Sequence, residues 1–138
     1  MGWETVKLNE VDITPEAITD GSYKLRVLPG ASYDERNPNQ LNMSVAIEEG
    51  KFAGRRLFVS YPDPDRFDWA PKALKKLEIA LGTDSMAGED PTAYLNRVAT
   101  NGHASFTAVI KNDTYIDKNT QTERSKPKMQ LFSVGPAA

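Results

Sequence analysis

The strongest alternation of apolar and polar residues lies between residues 41 and 61, with the sequence LNMSVAIEEGKFAGRRLFVSY. Apolar residues at every second position share one face of a β-strand, and the residues between them share the other. The apolar positions form two runs, Leu41, Met43, Val45 and Ile47, then Leu57, Val59 and Tyr61. In the connection between the runs, Gly50 and Gly54 supply the positive φ angles or the close backbone approach that a hairpin loop needs. The stretch therefore predicts a β-hairpin with one face toward the core and one toward water.

The water face of this hairpin combines a cation, an aromatic ring and small polar groups. Its residues are Asn42, Ser44, Ala46, Glu48, Arg56, Phe58 and Ser60. A flat surface of this composition can stack a base and hold a phosphate. Phe58 could instead pack under a loop or a helix, as single outward aromatics in soluble proteins often do. The pattern leaves both alternatives open.

Three further elements follow from shorter patterns upstream and downstream. Residues 22–28 alternate as a first strand, so the hairpin supplies the second and third strands. After the proline-rich residues 62–65, an apolar stripe predicts a helix from Asp68 to Leu81 that ends at Gly82. The stripe consists of Ala70, Ala73, Leu74, Leu77, Ala80 and Leu81. An Asp-Pro start signal predicts a second, short helix over residues 90–99.

The period of two returns after the helices and predicts the last two strands. The inward positions of the fourth strand are Ala104, Phe106, Ala108 and Ile110. Residues 111–128 are polar and predict an extended hairpin arm, because strand formers there flank a turn sequence. Residues 129–134 predict a fifth strand, with Leu131 or Phe132 facing the core.

Length and composition describe a single soluble domain. A chain of 138 residues with 39% hydrophobic and 26% charged residues can bury one core. We expect an acidic lead-in over residues 1–20, pinned to the body by Trp3, a domain over 21–134 and a short tail over 135–138. No apolar run approaches the roughly 20 residues of a membrane span, and the N-terminus lacks a signal peptide's apolar segment, so a cytoplasmic location is expected. The absence of cysteine excludes disulfides and cysteine-bound zinc.

Charge is distributed unevenly, although the net charge is only −2. Residues 1–20 contain five acidic residues against Lys7 alone, and basic residues cluster further along the chain. Local potential matters more to a phosphate than the net sum does. The candidate nucleic-acid contacts are basic or aromatic residues of the predicted sheet face, the first loop and the polar arm: Lys24, Arg26, Tyr33, Arg56, Phe58, Lys111, Tyr115, Lys118, Arg124, Lys126 and Lys128. The alternative is that these charges only keep the surface solvated.

Residues for catalysis are scarce. His103 is the only histidine, and the chain has neither a glycine-rich phosphate-binding motif nor an HExxH motif. Asp63, Asp65 and Asp68 lack the downstream glutamate of a calcium loop. The sequence therefore predicts a protein that is not an enzyme and uses no cofactor or metal.

The order of predicted elements, three strands, a helix and two strands, is that of a five-stranded OB-fold barrel, here with a second short helix. The segments GSYKLRV, LNMSVAIEEGKFAGRRLFVSY and WAPKALKKLEIALG resemble phage-encoded single-stranded-DNA-binding proteins, including a phage family long labelled only as of unknown function. The resemblance covers roughly residues 21–134 and rests on four pairs: Glu49-Gly50, Gly54-Arg55, Leu57-Phe58 and Leu81-Gly82. The tail SVGPAA lacks the acidic, phenylalanine-ended tip of bacterial single-strand-binding proteins.

Two functions remain in view. The resemblance implies sequence-tolerant binding of single-stranded DNA in phage replication or recombination, within the host cytoplasm and beside phage or host replication and recombination proteins. The alternative is an OB-fold protein-interaction module, a phage inhibitor or assembly factor without a nucleic-acid ligand. In that case Phe58 and the basic residues at the hairpin loop, Lys51, Arg55 and Arg56, would form a protein-binding patch.

Overall fold

The computed structural model describes residues 2–5, 7–10, 17–102 and 104–137. Its strands and helices are β1 (Gly21–Val27), β2 (Ser32–Tyr33), β3 (Leu41–Ile47), β4 (Arg56–Tyr61), α1 (Trp69–Leu81), α2 (Pro91–Asn101), β5 (Ser105–Ile116), β6 (Glu123–Met129) and β7 (Gly135–Pro136). Short 3-10 turns occupy Trp3–Thr5, Leu8–Glu10 and Leu131–Ser133. No helix in these described ranges is both long enough and apolar enough to cross a bilayer. The prediction of a mainly β protein with two helices is confirmed.

All seven strands belong to one antiparallel sheet. The order is β2-β3-β1-β5-β6, with β4 paired to β3 and β7 paired to β5. The five long strands therefore run in the order β4, β3, β1, β5, β6. The two outer strands, β4 and β6, approach each other without pairing, and side chains from both line one groove. The sheet is thus curled but open along the line between β4 and β6.

The predicted hairpin is confirmed as β3 and β4. Val45 pairs with Leu57, and every residue of the predicted apolar face is buried. Gly50 and Gly54 have φ angles of 86° and 88°, which only glycine adopts without strain. Ala46, expected on the water face, is buried because a methyl group between two strands is covered by longer neighbours.

Both predicted helices are present and pack into the core. In α1 the predicted stripe is buried, except for Leu74, which is half-buried against the core. Asp68 occupies the N-cap position without a side-chain capping bond, whereas Asp90 of α2 accepts a hydrogen bond from the backbone N–H of Thr92 at 2.9 Å. Gly82 ends α1 in the left-handed conformation, with φ at 72°. Leucines and alanines of α1 thus share one core with the inner faces of the strands.

The predicted fifth strand at residues 129–134 is wrong. The last long strand is β6, and Leu131 begins a 3-10 turn in which Phe132 is 48% exposed. The sequence of an edge strand need not alternate between apolar and polar residues. Such a strand also tolerates Pro127, which has no backbone N–H to donate to a neighbouring strand. The predicted hairpin arm is confirmed, since β5 and β6 remain paired as far as Ile116 and Glu123.

The N-terminal segment is attached differently from the expectation. Trp3 is 84% exposed, so the expectation that it pins the lead-in is wrong. Ile18 is buried in the core instead, and the side-chain amide of Asn112 donates to the backbone carbonyl oxygen of Ile18 and to Asp20 Oδ1, each at 2.8 Å. The backbone N–H of Asn112 also donates to Asp20, which lowers the pKa of that carboxyl.

Candidate nucleic-acid interface

Phe58 lies on the outer face of β4 and is 80% exposed. Its neighbours along the strand, Leu57 and Val59, point into the core, which fixes the ring on the opposite face. Its register partner on β3 is Ser44, a side chain too small to cover an aromatic ring. The ring face is therefore open to solvent, and the alternative in which Phe58 packs under a loop or a helix is wrong.

Two grooves flank this ring. The first, of about 440 Å³, is lined by polar side chains of β2, β3, β4 and the loop before β3: Ser32, Asp34, Gln40, Asn42, Ser44 and Ser60. The second, of about 390 Å³, separates β4 from β6 and is lined by Lys126, Lys128 and Leu131. Phe58 lines both grooves and forms the ridge between them.

Hydrogen bonds order the first groove. The hydroxyl of Ser60 and the amide of Gln40 both donate to Asn42 Oδ1 at 2.9 Å, and the amide of Asn42 donates to Asp34 Oδ2 at 3.2 Å. The side-chain amide of Asn42 and the backbone N–H groups of Arg36 and Asn37 donate hydrogen bonds to the carboxylate of Asp34, and these bonds lower its pKa. Asp34 is therefore ionised at neutral pH and disfavours a phosphate beside it. Amides and hydroxyls are suited to contact base edges in this groove.

Two arginines form a row across the sheet on the same outer face as Phe58. Arg26 on β1 and Arg56 on β4 are both register partners of Ala46, which lies between them on β3. Both arginines are exposed, and neither forms an ion pair within the described part of the chain. Their guanidinium groups can therefore meet phosphate oxygens, which they bind in a bidentate manner.

Lys24 belongs to the same face but is held by a carboxylate. Its ammonium lies 3.7 Å from Glu48 Oε2, and both side chains are partly buried. Glu48 also accepts a hydrogen bond from the hydroxyl of Ser105 at 2.5 Å. Lys24 therefore lies on the same face as the two arginines, but Glu48 already neutralises its charge.

Lys126 and Lys128 line the second groove together with Phe58, so three of the candidate nucleic-acid contacts surround one groove. Lys128 forms an ion pair with Asp113 at 3.1 Å, and both side chains are more than half exposed. Exposed pairs of this kind contribute little to stability, so a phosphate can replace the carboxylate at small cost.

Tyr33, Lys111, Tyr115 and Lys118 are not among the residues that line the two grooves. Tyr33 is in strand β2 rather than in a loop, because its backbone pairs with Leu41, and its hydroxyl donates to Asp90 Oδ2 at 2.8 Å. On the arm, Lys111 and Tyr115 are exposed residues of β5, and Lys118 is exposed in the turn. The backbone of Arg124 pairs with Tyr115, whereas the Arg124 side chain lies outside the described part, as does His103.

Leu131 lines the second groove, although the sequence does not predict it as a site residue. The sequence predicts that Leu131 or Phe132 faces the core within a strand; in the structure Leu131 is half-buried against the core but lies in a 3-10 turn. No sequence pattern marks it, because its position depends on how closely β6 approaches β4. Among the described residues, no group of three or more histidine, aspartate or glutamate side chains could hold a metal ion.

Comparison with known proteins identified no relative of this chain. No protein-family model, no curated protein and no solved structure matches the chain. The case for a function therefore rests on the outer sheet face, its two grooves and their charges.

Proposed function

We propose that this protein binds single-stranded DNA in a sequence-tolerant manner on the outer face of β3 and β4. The observation that carries the proposal is the 80% exposed ring of Phe58, which stands between a polar groove and a lysine-lined groove. An open aromatic face beside cations is the combination by which single strands are bound through stacking and phosphate neutralisation.

We also propose that the curled, open sheet is a variant of the OB-fold, and the strand order supports this. The five long strands have the neighbours of an OB-fold: β1 lies between β3 and β5, β4 follows β3, and β6 follows β5. The helices lie between the third and fourth long strands, as in the predicted order. OB-folds bind oligonucleotides on the face of their second and third strands, which correspond here to β3 and β4.

The energetics follow from two terms. Stacking of one base on an aromatic side chain is worth about 1–3 kcal/mol. Neutralisation of phosphates makes the affinity fall with salt, with a slope of about −0.7 per phosphate on a single strand. Contacts by Arg26, Arg56, Lys126 and Lys128 would give a slope of about −3 in a plot of log affinity against log salt concentration.

The net charge of −2 does not oppose this function, because acidic and basic residues are segregated. The potential that a phosphate meets is set by the charges within roughly 8–10 Å of it. The setting that we propose is phage DNA replication or recombination, which the resemblance of residues 21–134 to phage single-strand-binding proteins supports. Replication or recombination proteins would be its partners, and no cofactor takes part.

A fluorescence anisotropy titration with labelled oligo-dT tests the proposal, at about 50 mM and about 200 mM salt. We expect saturable binding at the lower concentration and clearly weaker binding at the higher one, with an unlabelled duplex competing poorly. Absence of binding at about 50 mM salt would overturn the proposal and favour the protein-interaction module instead.

A further inference from the structure

Three aromatic rings form a row at one end of the sheet. Phe67 lies in the segment after β4, Trp69 begins α1, and Phe132 belongs to the 3-10 turn after β6. The ring centroids of Phe67 and Trp69 are 6.0 Å apart, as are those of Trp69 and Phe132. Phe67 is 40% exposed and Phe132 is 48% exposed, whereas Trp69 is half-buried against the core.

The row continues the lysine-lined groove beside Phe58. Successive antiparallel pairings make β4 and β6 run in the same direction, so the segments that follow them leave the sheet at the same end. Leu131 lines the groove together with Phe58 and Lys128, and the next residue is Phe132. A chain that lies in the groove therefore meets the aromatic row where the groove ends.

Cations accompany the row, and three carboxylates lie close to Phe67 in the sequence. The guanidinium of Arg66 lies 5.9 Å from the ring centroid of Phe67, and the ammonium of Lys76 donates to the backbone carbonyl of Phe132. The segment that carries Phe67 also contains Asp63, Asp65 and Asp68. These carboxylates repel phosphate, so the contact with a nucleic-acid strand here would be made by the rings with the bases rather than by this segment with the phosphates.

We infer that Phe67, Trp69 and Phe132 form a second stacking platform for the same single strand that crosses Phe58. This inference rests on the proposed function and extends the binding track beyond the face of β3 and β4. The bases of single-stranded DNA occupy this platform for two reasons. The row continues a groove whose charged residues are lysines, and exposed aromatic rings stack on any base.

Tryptophan emission tests the inference without altering the platform. The chain has two tryptophans, so Trp3→Phe leaves Trp69 as the only emitter. We expect its emission to be quenched by oligo-dT, with the same midpoint as the anisotropy change of a labelled strand. Binding without any change in emission would overturn the second platform and leave the proposed function standing. Failure of the intact protein to bind any oligonucleotide would overturn both.

Substitutions give an independent test with a matched control. Phe132→Ala and Phe67→Ala should each weaken oligo-dT binding by about 5- to 150-fold, the fold-change for one stacked base. Ile79→Ala truncates a 69% exposed side chain on α1 outside the row and should leave the affinity unchanged. Melting temperatures identify any variant that unfolds, and for such a variant Phe132→Tyr or Phe67→Tyr, which keeps a ring, should bind like the unaltered protein. Equal affinities of the folded alanine variants and the Ile79→Ala control would contradict the inference.

Discussion

Phe58 on β4 pairs in register with Ser44 on β3, and this pairing of a large ring with a small side chain leaves the ring 80% exposed. Exposure of one ring is common in soluble proteins, but here the ring separates two grooves, one of them lined by Lys126 and Lys128. The small side chain of Ser44 is therefore the local reason why the Phe58 ring is open for the proposed stacking.

Phe58→Ala should weaken oligo-dT binding by about 1–3 kcal/mol while leaving the fold intact, because the proposed function stacks a base on this ring and the ring is 80% exposed in the free protein. Anisotropy titration and thermal melting measure the two quantities. Phe52→Ala is the matched control: Phe52 is buried, so its truncation should cost about 3–5 kcal/mol of stability. A large loss of stability in Phe58→Ala would contradict the outward placement of the ring.

Arg56→Ala should weaken binding to all sequences alike, because a guanidinium on a phosphate reads no base. The slope of log affinity against log salt concentration should become shallower by about 0.7 to 1. Lys72→Ala removes a charge from an exposed position of α1 and should leave the slope unchanged. An unchanged slope in Arg56→Ala would remove this residue from the phosphate contacts.

Glu89→Gln should make the free energy of unfolding less dependent on pH in the acidic range. Glu89 accepts hydrogen bonds from Arg97 at 2.8 and 2.9 Å and from the backbone N–H of Met86, and these lower its pKa from an ordinary 4.5 to about 2. Because the folded pKa lies below the unfolded one, the ionised carboxylate stabilises the fold fully above about pH 4.5, and this contribution disappears as the pH falls toward 2.

Thermal melting across this pH range measures the effect. The melting temperature of Glu89→Gln should lie below that of the unaltered protein at pH 7 and converge with it near pH 2. Glu35→Gln, in an exposed loop, is the control and should follow the unaltered protein throughout. A constant difference between Glu89→Gln and the unaltered protein at every pH would show that the ionisation of Glu89 is not the cause.

Trypsin should cut the arm at Lys118, because this lysine is exposed in the turn between β5 and β6. The Lys126-Pro127 bond should resist, since trypsin does not cleave before proline. If the arm takes part in binding, excess oligo-dT should slow cleavage at Lys118 but leave cleavage at the exposed Lys7 unchanged. Equal rates at Lys118 with DNA bound would exclude the arm from the interface.

The elements that could be predicted from the sequence are those in which buried residues recur at a regular spacing. The hairpin of β3 and β4 was predictable because one face of each strand is buried along its whole length, and α1 because its stripe recurs at helical spacing. That β6 is the last long strand of the sheet was not predictable, because Met129 is the only buried residue among those of β6 whose side chains the structure describes, and an edge strand carries no apolar period.

The site was predictable only in part, because tertiary contacts decide which charges meet the ligand. Arg56 and Phe58 lie on the predicted face, but Lys24 is paired with Glu48, a contact between two strands that spacing does not reveal. Likewise, the rings of Trp69 and Phe132 meet although they are far apart in sequence, since β6 ends beside the start of α1.

Photocrosslinking of oligo-dT, followed by mass spectrometry of the joined peptides, tests most directly whether a single strand lies across the outer face of β3 and β4. The account predicts crosslinks at Phe58 that disappear in Phe58→Ala while the protein remains folded. Crosslinks confined to other surfaces, such as α2, or their absence under conditions in which the strand is bound, would contradict it.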